Sequence, residues 1–208
     1  MSNLVSIAPG LYRIQVPFEA IYTTVYVAKY PTGVALIDSG DMGSDIDDYV
    51  LPALIQLGIH TKDVQYLLLT HDHGDHAGGI QRLSECFPDA TIKAPFHLSL
   101  PHFAPLSDGE LLLNGLQVLF LPGHNAHSVG YFDVATKTLL SGDCLQLSGV
   151  DKYRCGVGEP ALYEKSIEKL LGIDILRIAA AHEYDPYGAL AEGHMEVERY
   201  LRYCLAHK

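Results

Sequence analysis

Apolar positions in the first forty residues fall in short bursts rich in β-branched and aromatic side chains. The segments Gly10–Val16, Ile21–Lys29 and Gly33–Asp38 therefore predict strands, and their close succession predicts an N-terminal β-meander. The pattern then changes period. Ser44–Leu57 reads as a helix with Ser44 as its cap and Gly58 as its stop, and it leads into Val64–Leu69, a short apolar run suited to a strand buried on both faces. A helix over about His76–Phe87 follows. Short strands are predicted near Thr91–Ala94, Glu110–Leu113, Gln117–Leu121, Val129–Asp133 and Thr138–Leu140. A helix at Ala161–Leu171, a strand at Ile175–Ala180 and a closing helix from about Glu192 to Leu205 complete the chain. Strands and helices mix in both halves, which predicts an α/β (α+β) protein of packed β-sheets with helices outside them.

Composition narrows this picture. With 208 residues, 48% of them hydrophobic, and no Pro/Gly/Ser-rich linker or repeat, the chain suits a single domain over residues 1–208. The formal net charge of -11 repels phosphate backbones and anionic membranes, so the expected partner is a small molecule, with no nucleic acid and no membrane. The first residues, MSNLVSIAPGLYRIQV, show no basic start followed by an apolar stretch, and no long uncharged apolar run occurs elsewhere. A cytoplasmic protein is the expectation. Cys86, Cys144, Cys155 and Cys204 form no CxxC pair, which agrees with free thiols in a reducing compartment.

The chemistry is concentrated in LLLTHDHGDHAGG, Leu67 to Gly79, where three histidines and two aspartates occupy the six positions from His71 to His76 at the end of an apolar strand. Imidazoles and carboxylates are suitable ligands for zinc, iron or manganese. On a turn between strand and helix, His71 and His73 aim at one point while Asp75 and His76 turn toward another. At this composition, chance would supply the three specified histidines and one aspartate on the order of once in 10^5 starting positions, so a merely polar loop explains the pattern poorly.

THDHGDHAGG resembles the HxHxDH signature of the metallo-β-lactamase superfamily, and further segments follow in the family's order. IDSG (Ile37–Gly40) resembles its strand-end Asp-x-Gly, LPGHNAHSVGYF (Leu121–Phe132) its Gly-His segment, and SGDCL (Ser141–Leu145) its Gly-Asp segment. AAAHEYDP (Ala179–Pro186) stands where the last histidine is expected, with Ala181 in place of a frequent Gly. The resemblance implies a four-layer αββα sandwich of two mixed β-sheets flanked by helices. It also implies two divalent metal ions, zinc first with iron or manganese as alternatives. His71, His73 and His124 would hold one ion, Asp75, His76 and His182 the other, and Asp143 would bridge them. Asp38 would stand behind a metal-bound imidazole and fix its orientation. His127 occupies a place where a small residue is common, and it either caps its loop or reaches the substrate. Phe18 and Tyr22 near the first hairpin, and Tyr153 with Arg154 after Asp143, are candidate substrate contacts. Cys144 is expected to be a buried structural thiol rather than a ligand.

Within the superfamily, the zinc β-lactamases usually differ at the second metal site and are exported, while the nucleases carry added basic segments or domains. This chain has Asp143, an acidic balance and only 47 residues between His76 and His124. It looks most like the glyoxalase II-like and lactonase-like hydrolases. With 26 residues after His182, a separate helical glutathione-binding domain of the full glyoxalase II type is not expected. The implied activity is hydrolysis of a small ester, thioester or lactone by a metal-bridging hydroxide, with Asp75 both binding metal and orienting the water. Two alternatives stay open: a mononuclear iron enzyme resembling the persulfide dioxygenases, and a non-catalytic metal-binding regulatory protein.

Overall fold

Alternation of apolar side chains along the early strands gives each one a core face. Ile14 and Val16, Val25 and Val27, and Leu36 share the face that packs on Ile46, Val50, Leu54 and Leu83 from helical segments. The structure is a computed structural model that describes residues 3–19, 21–145, 157–184 and 188–206. Its contacts divide the chain into two compact units, Met1–Leu106 with Leu112–Asn114, and Ser107–Leu111 with Gly115–Lys208.

The first unit holds β1 (Leu4–Ala8), β2 (Leu11–Phe18), β3 (Ile21–Tyr30), β4 (Gly33–Ile37), β5 (Val64–Leu68), β6 (Thr91–Ala94) and β7 (Phe103–Pro105). They form one mixed sheet in sequence order. The pairs from β1 to β4 are antiparallel, as the predicted meander requires, and those from β4 to β7 are parallel. Parallel neighbours need a crossover, and helices supply it from β4 to β5 and from β5 to β6. Between β4 and β5 the chain forms α1 (Gly43–Asp45), a π-helical turn over Ile46–Val50 and α2 (Leu51–Gln56). Between β5 and β6 it forms α3 (Gly74–Ala77) and α4 (Ile80–Cys86). The single helix predicted over His76–Phe87 is thus two, broken at Gly78–Gly79.

The second unit carries β8 (Leu111–Leu112), β9 (Leu116–Phe120), β10 (Val129–Asp133), β11 (Thr138–Gly142), β12 (Arg177–Tyr184) and β13 (Gly188–Glu192). These strands give a mixed sheet in the order β13-β12-β11-β10-β9-β8. α5 (Pro160–Leu171) makes the crossover between the parallel strands β11 and β12, and α6 (His194–Ala206) ends the chain. Tyr163, Ile167 and Leu170 of α5 pack with Val197, Tyr200, Leu201 and Cys204 of α6 over Leu119, Leu139 and Ile178. Cys144 lies in this same apolar cluster. Both sheets are mixed and helix-flanked, in agreement with the α/β (α+β) class. Among the described residues, no helix is long and apolar enough to cross a membrane.

Candidate metal centre

Strand direction decides where the chemistry collects. In the first unit β4 and β5 are parallel, so their C-terminal ends share one sheet edge. Asp38 follows β4 there, and the run from His71 to His76 follows β5. Asp38 has φ +64, a left-handed conformation that aspartate tolerates better than most residues, and its N–H donates to Leu68 O at 2.8 Å.

Asp38 is fully buried and organises both histidines around it. Its Oδ1 accepts from Thr70 N–H at 2.7 Å, and Thr70 Oγ1 lies 3.0 Å from Oδ1 and 2.9 Å from Oδ2. Thr70 Oγ1 is also 3.0 Å from His71 Nδ1, and His76 Nδ1 is 2.8 Å from Asp38 Oδ2. A carboxylate only accepts, so the single hydroxyl proton of Thr70 goes to Asp38, and the hydroxyl oxygen accepts from His71 Nδ1–H. Both imidazoles therefore carry their proton on Nδ1 and present an Nε2 lone pair. Burial pushes the Asp38 carboxyl up from its ordinary range, opposed by the nearby His76 imidazole and the Thr70 donors. Thr70 was not singled out in the sequence; its place immediately before His71 is the one sign of it.

His71 and His73 each offer a ligand atom within 4.8 Å of the other, as do Asp75 and His76. Asp75 Oδ2 is 3.3 Å from His76 Nε2. The backbone of Ser39–Asp41 braces this turn. Ser39 N–H donates to His76 O at 2.7 Å and Gly78 N–H to Gly40 O at 3.1 Å. A Cβ on Gly78 would lie 1.8 Å from Asp41 O, which is why only glycine fits there. Burial and the neighbouring carboxylates of Asp75, Asp45 and Glu19 push the Asp41 carboxyl up.

In the second unit β9 and β11 are each antiparallel to β10, and β12 is parallel to β11. The C-terminal ends of β9, β11 and β12 thus share an edge. His124 lies in the loop after β9 and Asp143 directly after β11. His182 lies inside β12, because that strand runs four residues past its predicted end at Ala180. All three side chains are buried. Asp143 Oδ2 is 3.8 Å from His124 Nε2, and Oδ1 is 3.4 Å from His182 Nε2. The His124 loop is clamped by the start of α5: Gly158 N–H donates to His124 O at 3.2 Å and Ser166 Oγ to Pro122 O at 2.7 Å.

The donor types and their spacing suit a divalent ion. Metal–nitrogen bonds of about 2.0–2.1 Å in a tetrahedron put neighbouring ligand atoms roughly 3.4 Å apart. The Asp75–His76, Asp143–His182 and Asp143–His124 separations of 3.3, 3.4 and 3.8 Å lie around that value. Such separations are long for a hydrogen bond and natural for two groups turned toward one cation. The set holds imidazole and carboxylate and no thiolate, since Cys144 is in the apolar cluster.

The remaining sequence candidates are not among these donor groups. His127 is exposed, and its N–H donates to Asn125 Oδ1 at 2.8 Å. Phe18 ends β2 at the β2–β3 hairpin, and Tyr22 Oη on β3 accepts from Arg13 Nη1 at 3.2 Å. Tyr153 and Arg154 lie outside the described residues.

The sequence profile of the metallo-β-lactamase superfamily matches residues 19–182, a span that contains every one of these donors. The chain belongs to the metallo-β-lactamase superfamily. It is 33% identical over 138 residues to the hydroxyacylglutathione hydrolase of Vibrio cholerae serotype O1, a match covering 64% of this chain and 53% of that protein. The chain therefore spans about half the length of this relative. A metallo-β-lactamase family protein of Thermus thermophilus has a TM-score of 0.72 at 21% identity, covering 97% of this chain and 80% of its own. The rubredoxin oxygen:oxidoreductase of Desulfovibrio gigas has a TM-score of 0.75 at 17% identity, covering 98% and 61%. These two structures share the superfamily fold with this chain.

Proposed function

We propose that the two sets of donors act together as the dinuclear centre of a hydrolase. His71, His73 and His124 would hold one divalent ion, Asp75, His76 and His182 the other, and Asp143 would be shared. The observation that carries this reading is the Asp143 carboxylate, whose two oxygens face two different imidazoles. A carboxylate placed between two ions divides its oxygens in this way. Membership of the superfamily and the Vibrio cholerae relative support hydrolysis as the reaction. Zinc is the preferred ion for this nitrogen and oxygen donor set, with iron or manganese next.

Two such ions, when bound, supply Lewis acidity and make hydroxide available near neutral pH. The chain supplies the rest. Asp38 and Thr70 fix the protons of His76 and His71 on Nδ1, so that Nε2 is free to ligate. Asp75 accepts a hydrogen bond from the attacking water and orients it toward the substrate carbonyl. The substrate proposed is a small ester, thioester or lactone, and the name of the Vibrio cholerae relative supports an acyl group carried on a small thiol. The net charge of -11 supports a small molecule, rather than nucleic acid or a membrane, as the partner.

Metal content measured on protein purified without chelator, together with turnover on an ester and thioester panel, tests the reading. Two ions per chain and hydrolysis are expected. Asp143→Ala should lower the content towards one ion and largely abolish turnover. One tightly held iron with sulfur-dependent oxygen uptake would replace the reading with a persulfide-dioxygenase-like reaction, and two ions without turnover on any acyl substrate would leave a binding protein.

A further inference from the structure

The sheet of the first unit buries a cation that the metal chemistry does not use. Arg13 on β2 is 8% exposed, and its Nε is buried with no hydrogen-bond partner. Its Nη1 donates to Tyr22 Oη at 3.2 Å, and the guanidinium carbon lies 5.7 Å from the Tyr22 ring centroid. Among the described residues no carboxylate pairs with it. A buried guanidinium held by one phenol is costly unless an anion completes its shell.

Register shows which groups share its face of the sheet. Ile14, Val16, Val25 and Val27 face the helices, so alternation puts Arg13, Gln15, Tyr22 and Thr24 on the opposite face of the sheet. Arg13 stands opposite Tyr26, whereas the phenol it reaches belongs to Tyr22, four residues nearer the β2–β3 hairpin. The guanidinium therefore lies stretched along the sheet toward that hairpin. On the other side of β2, Val5 stands opposite Arg13, and continuing the register puts Asn3 opposite Gln15, where Gln15 N–H donates to Asn3 O at 2.8 Å. Asn3 is thus on the same face as Arg13 and in the direction in which its side chain extends. Its Nδ2 is a second buried donor with no partner. The hairpin itself flanks the metal-ligand turn: α3, with Asp75 and His76, packs against β3, and Glu19 at the hairpin and Asp75 both act on Asp41.

We infer that Arg13, Asn3 and Tyr22 form a receptor for a carboxylate on the acyl part of the substrate. Tyr22 occupies Nη1, which leaves the Nε edge of the guanidinium fork for one carboxylate oxygen and places the Asn3 amide to donate to the anion as well. This deepens the proposed hydrolysis and rests on it for the word substrate: the ester or thioester cleaved is one that carries a negative charge of its own.

The test uses metal-loaded protein and two readouts. The first is kcat/KM for the succinyl thioester of N-acetylcysteamine against its methyl succinyl counterpart, which lacks the charge. Wild type should favour the charged thioester by roughly tenfold to a hundredfold, the range of a hydrogen bond to a charged group. Arg13→Met should collapse that ratio, and Arg13→Lys, which keeps the charge but loses the Nε donor, should lose most of it. The second readout is thermal stabilisation by butyrate compared with butyramide at constant ionic strength, where wild type should respond to butyrate beyond either variant. Subtracting the variants' response removes any direct contact of butyrate with the ions. An unchanged ratio in Arg13→Lys, or no preference and no butyrate effect in wild type, overturns the receptor. Should Arg13→Met fail to fold, wild type and Arg13→Lys decide the matter. Failure to cleave either thioester, with the butyrate difference intact, overturns the hydrolase reading and leaves the carboxylate receptor standing.

Discussion

Asp38 is the residue on which the first unit's histidines depend, and it does this without being a ligand. One buried carboxylate receives His76 Nδ1–H directly and His71 Nδ1–H through the Thr70 hydroxyl. Asp38→Asn keeps the size and tolerates the left-handed φ of +64, so it isolates the charge and the acceptor. The amide nitrogen puts a donor where an acceptor is needed, leaving either His76 Nδ1–H or the Thr70 backbone N–H unsatisfied. The expected result is a fall of about 10–100-fold in affinity for the ion on His76, measured by competition with a chromogenic chelator. Stability should fall by about 1–3 kcal/mol in denaturant titrations of the metal-free protein. Equal metal affinity in the variant and wild type would show that Asp38 does not set the imidazole tautomers.

Among the elements, most of the strands and both long helices of the second unit could be read from side-chain period, because each has one clear apolar face. The Tyr163, Ile167 and Leu170 spacing of α5 is an example. The elements that escaped were short or at sheet edges. β1 and β7 have little alternation, and the Ala-rich GALAE of β13 has a composition that suits helix, yet it pairs with Ile178 and Ala179 of β12. The period after the histidines predicts one continuous helix, because Gly78 and Gly79 do not by themselves end a periodic run. What ends it is the backbone of Ser39–Asp41, too close for a Cβ. Gly78→Ala sets a methyl group against a carbonyl oxygen, neither of which has a flexible end to move. A loss of about 1–3 kcal/mol or more is expected in the chemical-denaturation midpoint, along with a lower metal content. A midpoint equal to that of wild type would mean that the bracing loop gives way freely.

For the whole molecule, bound metal and folding should be linked, since the buried histidines and aspartates find their geometry only in the native state. An ion present at about 1,000 times its dissociation constant stabilises the fold by roughly 4 kcal/mol. At about 2–4 °C per kcal/mol for a chain of this size, removal of one ion by a chelator should lower Tm by roughly 10 °C, and zinc should restore it. A Tm indifferent to both treatments would contradict a resident ion. The order of residues was enough to establish the α/β class and the strands that deliver the histidines and aspartates, since hydrophobic period and the HDHGDH run are local properties of neighbouring residues. It was enough for superfamily membership too, carried by segments spread from Ile37 to His182. What lies behind those residues became visible only in the folded chain. Thr70 joins His71 to Asp38 across thirty-two positions, the Ser39–Asp41 backbone excludes any side chain at Gly78, and Arg13 is buried beside Tyr22 with no acid paired to it among the described residues. Each of these is a contact between different strands or loops, and the residue types involved are common enough that no pattern along the chain marks them.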